Sequence, residues 1–490
     1  MDFLDPKKQR RHAILLYAGY FLIGIAILIS TLVLVYQANG FGVNSKGQVV
    51  QNGLVFFSSQ PNPADIYLNG ARNDTQTNAR LSLPAGQYDV RLNREGYRSW
   101  QRQITVQGGD VQHFDYPFLF PSKLTTTTRD TLASAAGIAS QSRDRRWLIV
   151  QRASTPTVMD LYDLKNPTVA PTALTLPAAA MRSVAGAQTW EVVQWADDNQ
   201  HLLVRHTYAN GSEFIVIDRN DVTKSVNLNA TLGAEPLKLT LIDNKYDQYH
   251  LLDGAGVLST ATIGSPAPVR QIENVLAYKS YGSKTVLYVT SVGASDGKAM
   301  ASMLSGDKTY PVREVAANTT YLLDMAGYRG EDYVALAASS ENTIYIYRNP
   351  LGQLKDATVK KPVASRAMRI TAPNYISFSN NTQYIAAQSG SQFGVYDIYL
   401  RRAYVYNVDH ALDAPQQHAE WMDGNRLTYV SDGKVLVFDY DRRNQQTLQA
   451  ANSGYGPYFS PDYRYSYAIV TGTTGATQLT QTALVTDADL

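Results

Sequence analysis

The chain of 490 residues contains no cysteine. Disulfide frameworks, thiolate zinc sites, iron–sulfur clusters and cysteine nucleophiles are thereby excluded. Charge is also scarce and balanced. Charged residues make up 18% of the chain, and 44 Lys and Arg face 42 Asp and Glu for a net charge of +2. Residues 1–12 hold Lys7, Lys8, Arg10 and Arg11 against two Asp, so the whole net charge sits there and the remainder is neutral. A nucleic-acid partner needs a basic face to neutralise phosphates, and a neutral body argues against one. After Tyr36 no segment sustains a 3.6-residue apolar period, which excludes long helices from the rest of the chain.

One long apolar run is present. Ala13 to Tyr36 reads AILLYAGYFLIGIAILISTLVLVY without a charge. As a helix it measures about 36 Å, enough to cross a hydrocarbon core of about 30 Å with some tilt. A cleaved signal peptide has a shorter apolar region, about 7–15 residues, and ends in small residues, where this run exits through the bulky Tyr36. The expectation is a retained anchor. Lys7, Lys8, Arg10 and Arg11 crowd one flank while residues 37–60 carry only Lys46. The positive-inside rule then keeps residues 1–12 in the cytoplasm and places the bulk of the chain outside a cytoplasmic membrane crossed once.

Residues 37–52 are rich in Gly, Asn and Gln and read as a linker. From Gly53 short β-rich runs begin. Val55–Ser59 and Asp65–Leu68 are the first, and Asn69-Gly70 is a hairpin signal because a type I′ turn needs positive φ at both central positions. Five pieces then follow in order: Ser59-Gln60-Pro61-Asn62-Pro63-Ala64, Ile66-Tyr67-Leu68-Asn69-Gly70, Leu83-Pro84-Ala85-Gly86-Gln87-Tyr88, Arg94-Glu95-Gly96-Tyr97 and Ile104-Thr105-Val106. On these pieces the segment 53–120 resembles the PEGA family, with Asn62 and Pro63 standing where that family has Glu and Gly. The resemblance implies a small extracytoplasmic β-sandwich, a spacer or adhesion module that brings no catalytic residues.

The segment 121–490 shows strand-rich units at a period of roughly 44 residues, which is the spacing of propeller blades. Several units carry an aromatic-Ser-polar step before a strand, seen in Phe378-Ser379-Asn380-Asn381 and Phe459-Ser460-Pro461-Asp462, with variants at Trp195 and Trp421. The step looks like the blade turn of Tol-like and WD-like propellers. The fold expected is mainly β: one transmembrane helix, a PEGA-like sandwich and a seven- or eight-bladed β-propeller. The blade number stays open because the unit around Tyr249 is degenerate and Thr125–Leu132 offers a closing strand. A tandem of sandwiches is the alternative architecture.

Candidate chemistry is sparse. Gly293-Ala294-Ser295-Asp296-Gly297 matches a nucleophile elbow, but no convincing helix follows and Asp-Gly reads as a hairpin turn. His201 and His206 are five apart on one strand and so face opposite sides, which excludes a shared metal. Asp218, Asn220, Asp221, Asp439 and Asp441 lack the rest of a calcium loop. No cofactor set assembles. The 33 Tyr include Tyr396, Tyr399, Tyr404 and Tyr406, read as a weak contact surface. The function expected is non-catalytic binding or scaffolding at the cell envelope, with an envelope protein or polysaccharide as partner. An extracytoplasmic enzyme acting on glycan or peptide is the alternative, and acidic and His side chains converging at a channel mouth would favour it.

Overall fold

The computed structural model describes residues 6–38, 40–43, 48–265, 267–356, 358–413 and 417–489. The first helix runs Pro6–Ala38, and its segment Arg10–Tyr36 is long and apolar enough to cross a membrane, with none of its apolar window buried by protein. An apolar surface of that size has no stable exposure to water, so it requires a lipid environment or a covering partner. The stretch 37–52, expected to be a linker, is not one. It carries the strand Phe41–Val43 and the start of Val49–Phe57, paired antiparallel through Phe41 and Gln51. Its polar composition concealed them because their side chains are incompletely buried, Val49 being exposed and Phe41, Gly42 and Val50 to Asn52 half-buried.

The first unit comprises the chain through Lys123 together with Thr486–Asp489. It holds two four-stranded sheets. One consists of Phe41–Val43, Val49–Phe57, Ala79–Pro84 and Val111–Phe114; the other has the order Ala71–Gln76, Asp65–Leu68, Gly86–Asn93, Trp100–Val106. Alternate residues of both turn inward, and Val55, Phe57, Leu81 and Leu83 meet Ile66, Leu92, Trp100 and Ile104 in one core. The hairpin at Asn69-Gly70 has φ of 51° and 84°, the two left-handed residues that a type I′ turn demands. Within this unit Asp489 accepts hydrogen bonds from Arg94 and from Tyr97, the latter at 2.5 Å.

The second unit, Leu124–Val485, is built from eight four-stranded antiparallel sheets, seven of them with their strands in chain order. Their first strands are Ala136–Gln141, Gln188–Trp195, Lys238–Leu241, Val275–Tyr281, Tyr321–Tyr328, Tyr375–Phe378, Glu420–Trp421 and Tyr458–Phe459. The eighth sheet is completed out of order. Its fourth strand is Thr126–Thr131, which pairs with Thr477–Ala483. The unit around Tyr249 is a full sheet after all. Its outer strand Val269–Ile272 is short and mostly exposed, so it lacks the apolar run that marks its neighbours.

Middle strands such as Gly211–Asp218 and Arg426–Ser431 are buried on both faces. A strand covered on both sides needs continuous apolar residues rather than alternation, which is why runs such as Phe214-Ile215-Val216-Ile217 recur. The covering layers are the neighbouring sheets. Ile149 and Leu161 of the first pack with Trp195 and Val204 of the second, and Leu148 and Tyr162 of the first pack with Tyr467 and Leu479 of the eighth. Sheets six and seven meet through Tyr384 and Tyr440, stacked at 4.3 Å, and sheets seven and eight through Asn452 N–H donating to Ile469 O at 2.8 Å. Repeated four-stranded sheets with this packing and this closing strand form a β-propeller.

Candidate binding site on the inner strands

The aromatic-Ser-polar steps turn each first strand into its second. Ser379 Oγ donates to Asn381 Oδ1 at 2.7 Å and accepts from Tyr384 N–H at 3.0 Å; Ser460 repeats this with Asp462 and Tyr465 at 2.7 and 3.0 Å. Ser142 makes a third copy with Asp144 and Trp147, at 2.5 and 2.9 Å. That copy was legible as Ser-x-Asp before an aromatic but has Gln141 in place of the leading ring. Trp195 and Trp421 stitch neighbours instead. Each indole N–H donates at 3.0 Å to a serine on the preceding sheet's first strand, Ser140 and Ser377 respectively. Gln141 Nε2 donates to Phe459 O at 2.7 Å across the closure.

These bonds draw the first strands around a cavity of about 590 Å³. Sheet one contributes Ser140 to Arg143 and Arg145, sheet six Asn380, sheet seven Glu420 and Trp421, and sheet eight Gly456, Tyr458 and Phe459. Since first strands of separate sheets converge there, the first strands are the inner ones. Glu420 is solvent-exposed where it opens into this space, and desolvation by the cavity walls raises its carboxyl pKa, with Arg145 opposing.

Further charges continue along the inner strands. Lys279 Nζ lies 2.8 Å from Asp324 Oδ1, and Asp324 Oδ2 accepts from Phe378 N–H at 3.1 Å. Lys238 is lowered by burial and by the like charge of Lys279, with Glu191 opposing. Tyr375 is pushed up to about 12 by burial, with Ser377 opposing and Glu420 and Asp324 adding to it. His418, lowered by burial, stacks on Tyr375 at 3.6 Å.

The sequence-derived candidates fall elsewhere. Arg10 and Arg11 are exposed on the first helix, and the side chains of Lys7 and Lys8 lie outside the described residues. The four tyrosines do not form one surface. Tyr396 is 4% exposed between sheets five and six. Tyr404 and Tyr406 point the other way, toward sheet seven: Tyr404 meets Tyr440 edge-on at 5.4 Å, and Tyr406 donates its hydroxyl to Tyr440 O at 2.9 Å. Strand alternation separates them, because 396 pairs with 403 and 404 with 395. Only Tyr399 is exposed, at 42%, with Arg329 over its ring at 4.5 Å.

Ser295 sits in a hairpin loop between Thr285–Thr290 and Lys298–Ser305, bonded to Glu314 at 3.0 Å, so it is no elbow. His201 bonds Asp198 at 2.6 Å, and His206 bonds Glu213 and Gln188 at 2.8 Å each. Among the described residues no group of three or more His, Asp or Glu could hold a metal ion. Asp218 caps its own turn by accepting from Asn220 N–H at 2.8 Å.

Comparison with known proteins places two of these parts. Residues 52–119 match the PEGA domain family model. The match covers that segment alone; a membrane-capable helix precedes it and a β-propeller follows it. No curated protein matches the chain. Solved structures similar to it include the β-propeller domain of Myceliophteria thermophila Cps50 (Swd1), 11% identical, TM-score 0.40, over 74% of this chain and all of that one. The Dos1 propeller is 13% identical with TM-score 0.44 over 74% of this chain and 95% of its own. Oligogalacturonate lyase in complex with manganese is 9% identical with TM-score 0.39 over 73% and 100%. At these identities the likeness transfers no chemistry.

Proposed function

We propose that the protein is a non-catalytic binding or scaffold component of the cell envelope. Its Arg10–Tyr36 helix crosses the cytoplasmic membrane, residues 1–12 remain inside, and the PEGA domain, as a two-sheet sandwich, stands outside with a propeller of eight blades. The observation that carries this reading is the apolar helix left bare of protein and followed only by β-rich units. The makeup of the inner cavity supports the non-catalytic part. Among the described residues Glu420 is the one carboxylate in its lining and no histidine lines it, whereas acid–base work calls for paired groups within reach of one reacting atom. Asp324, on the inner strand Tyr321–Tyr328, and His418, just ahead of the inner strand Glu420–Trp421, are what the enzymatic alternative would have to recruit.

The lack of cysteine makes orientation easy to test. Thr474 is exposed in the turn between Tyr465–Thr471 and Thr477–Ala483, so Thr474→Cys supplies the sole thiol. A membrane-impermeant maleimide should label it in spheroplasts without detergent; labelling only after permeabilisation would overturn the orientation. Purification of the full-length protein from mildly solubilised envelopes should retain a stoichiometric partner. Turnover of an envelope glycan or peptide by the same preparation would favour the enzyme.

A further inference from the structure

The inner cavity holds two opposite charges that do not close on each other. Glu420 is influenced by Arg145 through space, yet nothing among the described residues donates a hydrogen bond to its carboxylate. The Arg145 guanidinium stands instead over the Tyr463 ring at 4.8 Å, which leaves its N–H fork available. Neighbouring charges are already engaged: Arg143 pairs with Asp197 at 3.1 Å and Lys279 with Asp324 at 2.8 Å. Opposite ions that share a cavity can close into a bidentate pair. Where they are held apart, a gap remains with a negative and a positive wall.

A second observation shows that this gap is kept open. Gly456 is in the cavity wall and does not have a left-handed φ, so backbone conformation does not require glycine there. What its missing side chain provides is room. A Cβ at this position would stand 3.3 Å from Glu420 Oε2, tighter than an ordinary contact, and would cap the carboxylate. The remaining wall adds the polar Asn380 and the aromatic Trp421 and Tyr458.

We infer that this cavity is a binding site for a small zwitterion bearing an ammonium group and a carboxylate, the ammonium seated on Glu420 and the carboxylate on Arg145. A ligand with both charges satisfies both walls, whereas a ligand with one charge leaves the other wall desolvated and unmatched. The assignment rests on the binding reading above and names its ligand class. Besides Glu420, the charged and titratable groups lining the site are Arg143, Arg145 and Tyr458; Tyr375 of sheet six lies outside the lining and feels the charge of Glu420.

The test uses the full-length protein in detergent micelles and a series of ω-amino acids from glycine to 6-aminohexanoate, with n-hexylamine and hexanoate as single-charge controls, followed by calorimetry. One chain length should saturate, at least about tenfold tighter than either control. Glu420→Gln and Arg145→Gln should each weaken it by about tenfold or more, Arg145→Lys should retain most of it, and Gly456→Ala should weaken it with every charge in place. Binding should strengthen as pH rises through the elevated Glu420 pKa. Equal binding of hexylamine, indifference to Glu420→Gln, or failure of every ω-amino acid to bind the wild-type protein would overturn the assignment. Those outcomes leave the Thr474→Cys labelling untouched, so failure of the ligand class and failure of the membrane orientation are read separately. If a variant does not fold, the wild-type series and its two controls still decide.

Discussion

Two glutamates in the propeller, Glu213 buried and Glu420 exposed to a cavity, are treated in opposite ways. Glu213, in the second sheet, is completely buried and accepts hydrogen bonds from His206 Nδ1 at 2.8 Å, Asn227 Nδ2 at 2.6 Å and Arg182 N–H at 2.9 Å. His206 is held in turn by Gln188 and stacked on Trp190 at 4.4 Å. Glu420, on the inner strand of the seventh sheet, has no such partners and faces open volume. A saturated carboxylate is part of the architecture, and its cost of burial has been offset within the chain. An unsaturated one in a cavity leaves an interaction for something else to make. The difference separates structural polar groups from functional ones without recourse to motif.

Breaking the saturated side of the comparison should produce the largest effect. Glu213→Ala strands His206, Asn227 and an amide N–H together, and we expect a loss of about 3–5 kcal/mol in urea unfolding, read as a lowered midpoint. The next effect comes from a histidine that lacks the support His206 has. His250 is buried, its Nδ1 has no hydrogen-bond partner among the described residues, and burial pushes its pKa down to about 4 from 6.5. The folded state resists the proton while the unfolded state takes it up. Stability should therefore be complete above pH 6.5 and fall as pH drops toward 4, by about 3 kcal/mol in all. His250→Phe should flatten that acid limb, and an unchanged slope would remove His250 as its source. Trp421→Phe, which deletes the indole bond to Ser377, should cost about 1 kcal/mol. Smallest of all, Glu420→Gln should leave stability within about 0.5 kcal/mol of wild type or slightly higher. A loss comparable to that of Glu213→Ala would erase the distinction between the two sites.

Much of the fold was legible because it is written in local signals. The uncharged run after Arg11 and His12 announces the helix, Asn69-Gly70 its hairpin, and the apolar runs the middle strands that lie between two sheets. Outer strands such as Val269–Ile272 are nearly invisible, since an edge strand in water carries no apolar period. The tyrosines misled for a related reason. Composition groups Tyr396 with Tyr404 and Tyr406, but strand pairing sends them to opposite faces, and that pairing depends on register rather than on residue type. The cavity could not be read at all. Arg145, Asn380, Glu420 and Tyr458 come from four sheets spread along the chain, and only the closure of the array brings them together.

That closure has a consequence for how the protein is made. Thr126–Thr131 is synthesised first and its partner Thr477–Ala483 last, so roughly 350 residues must emerge before Thr131 can meet Gln478. At roughly 5–20 residues per second the early strand stays unpartnered for tens of seconds. A greasy segment left that long would invite foreign strands. The sequence TTTRDT, all hydroxyls and charge, can be parked harmlessly in solvent until its partner strand has been made.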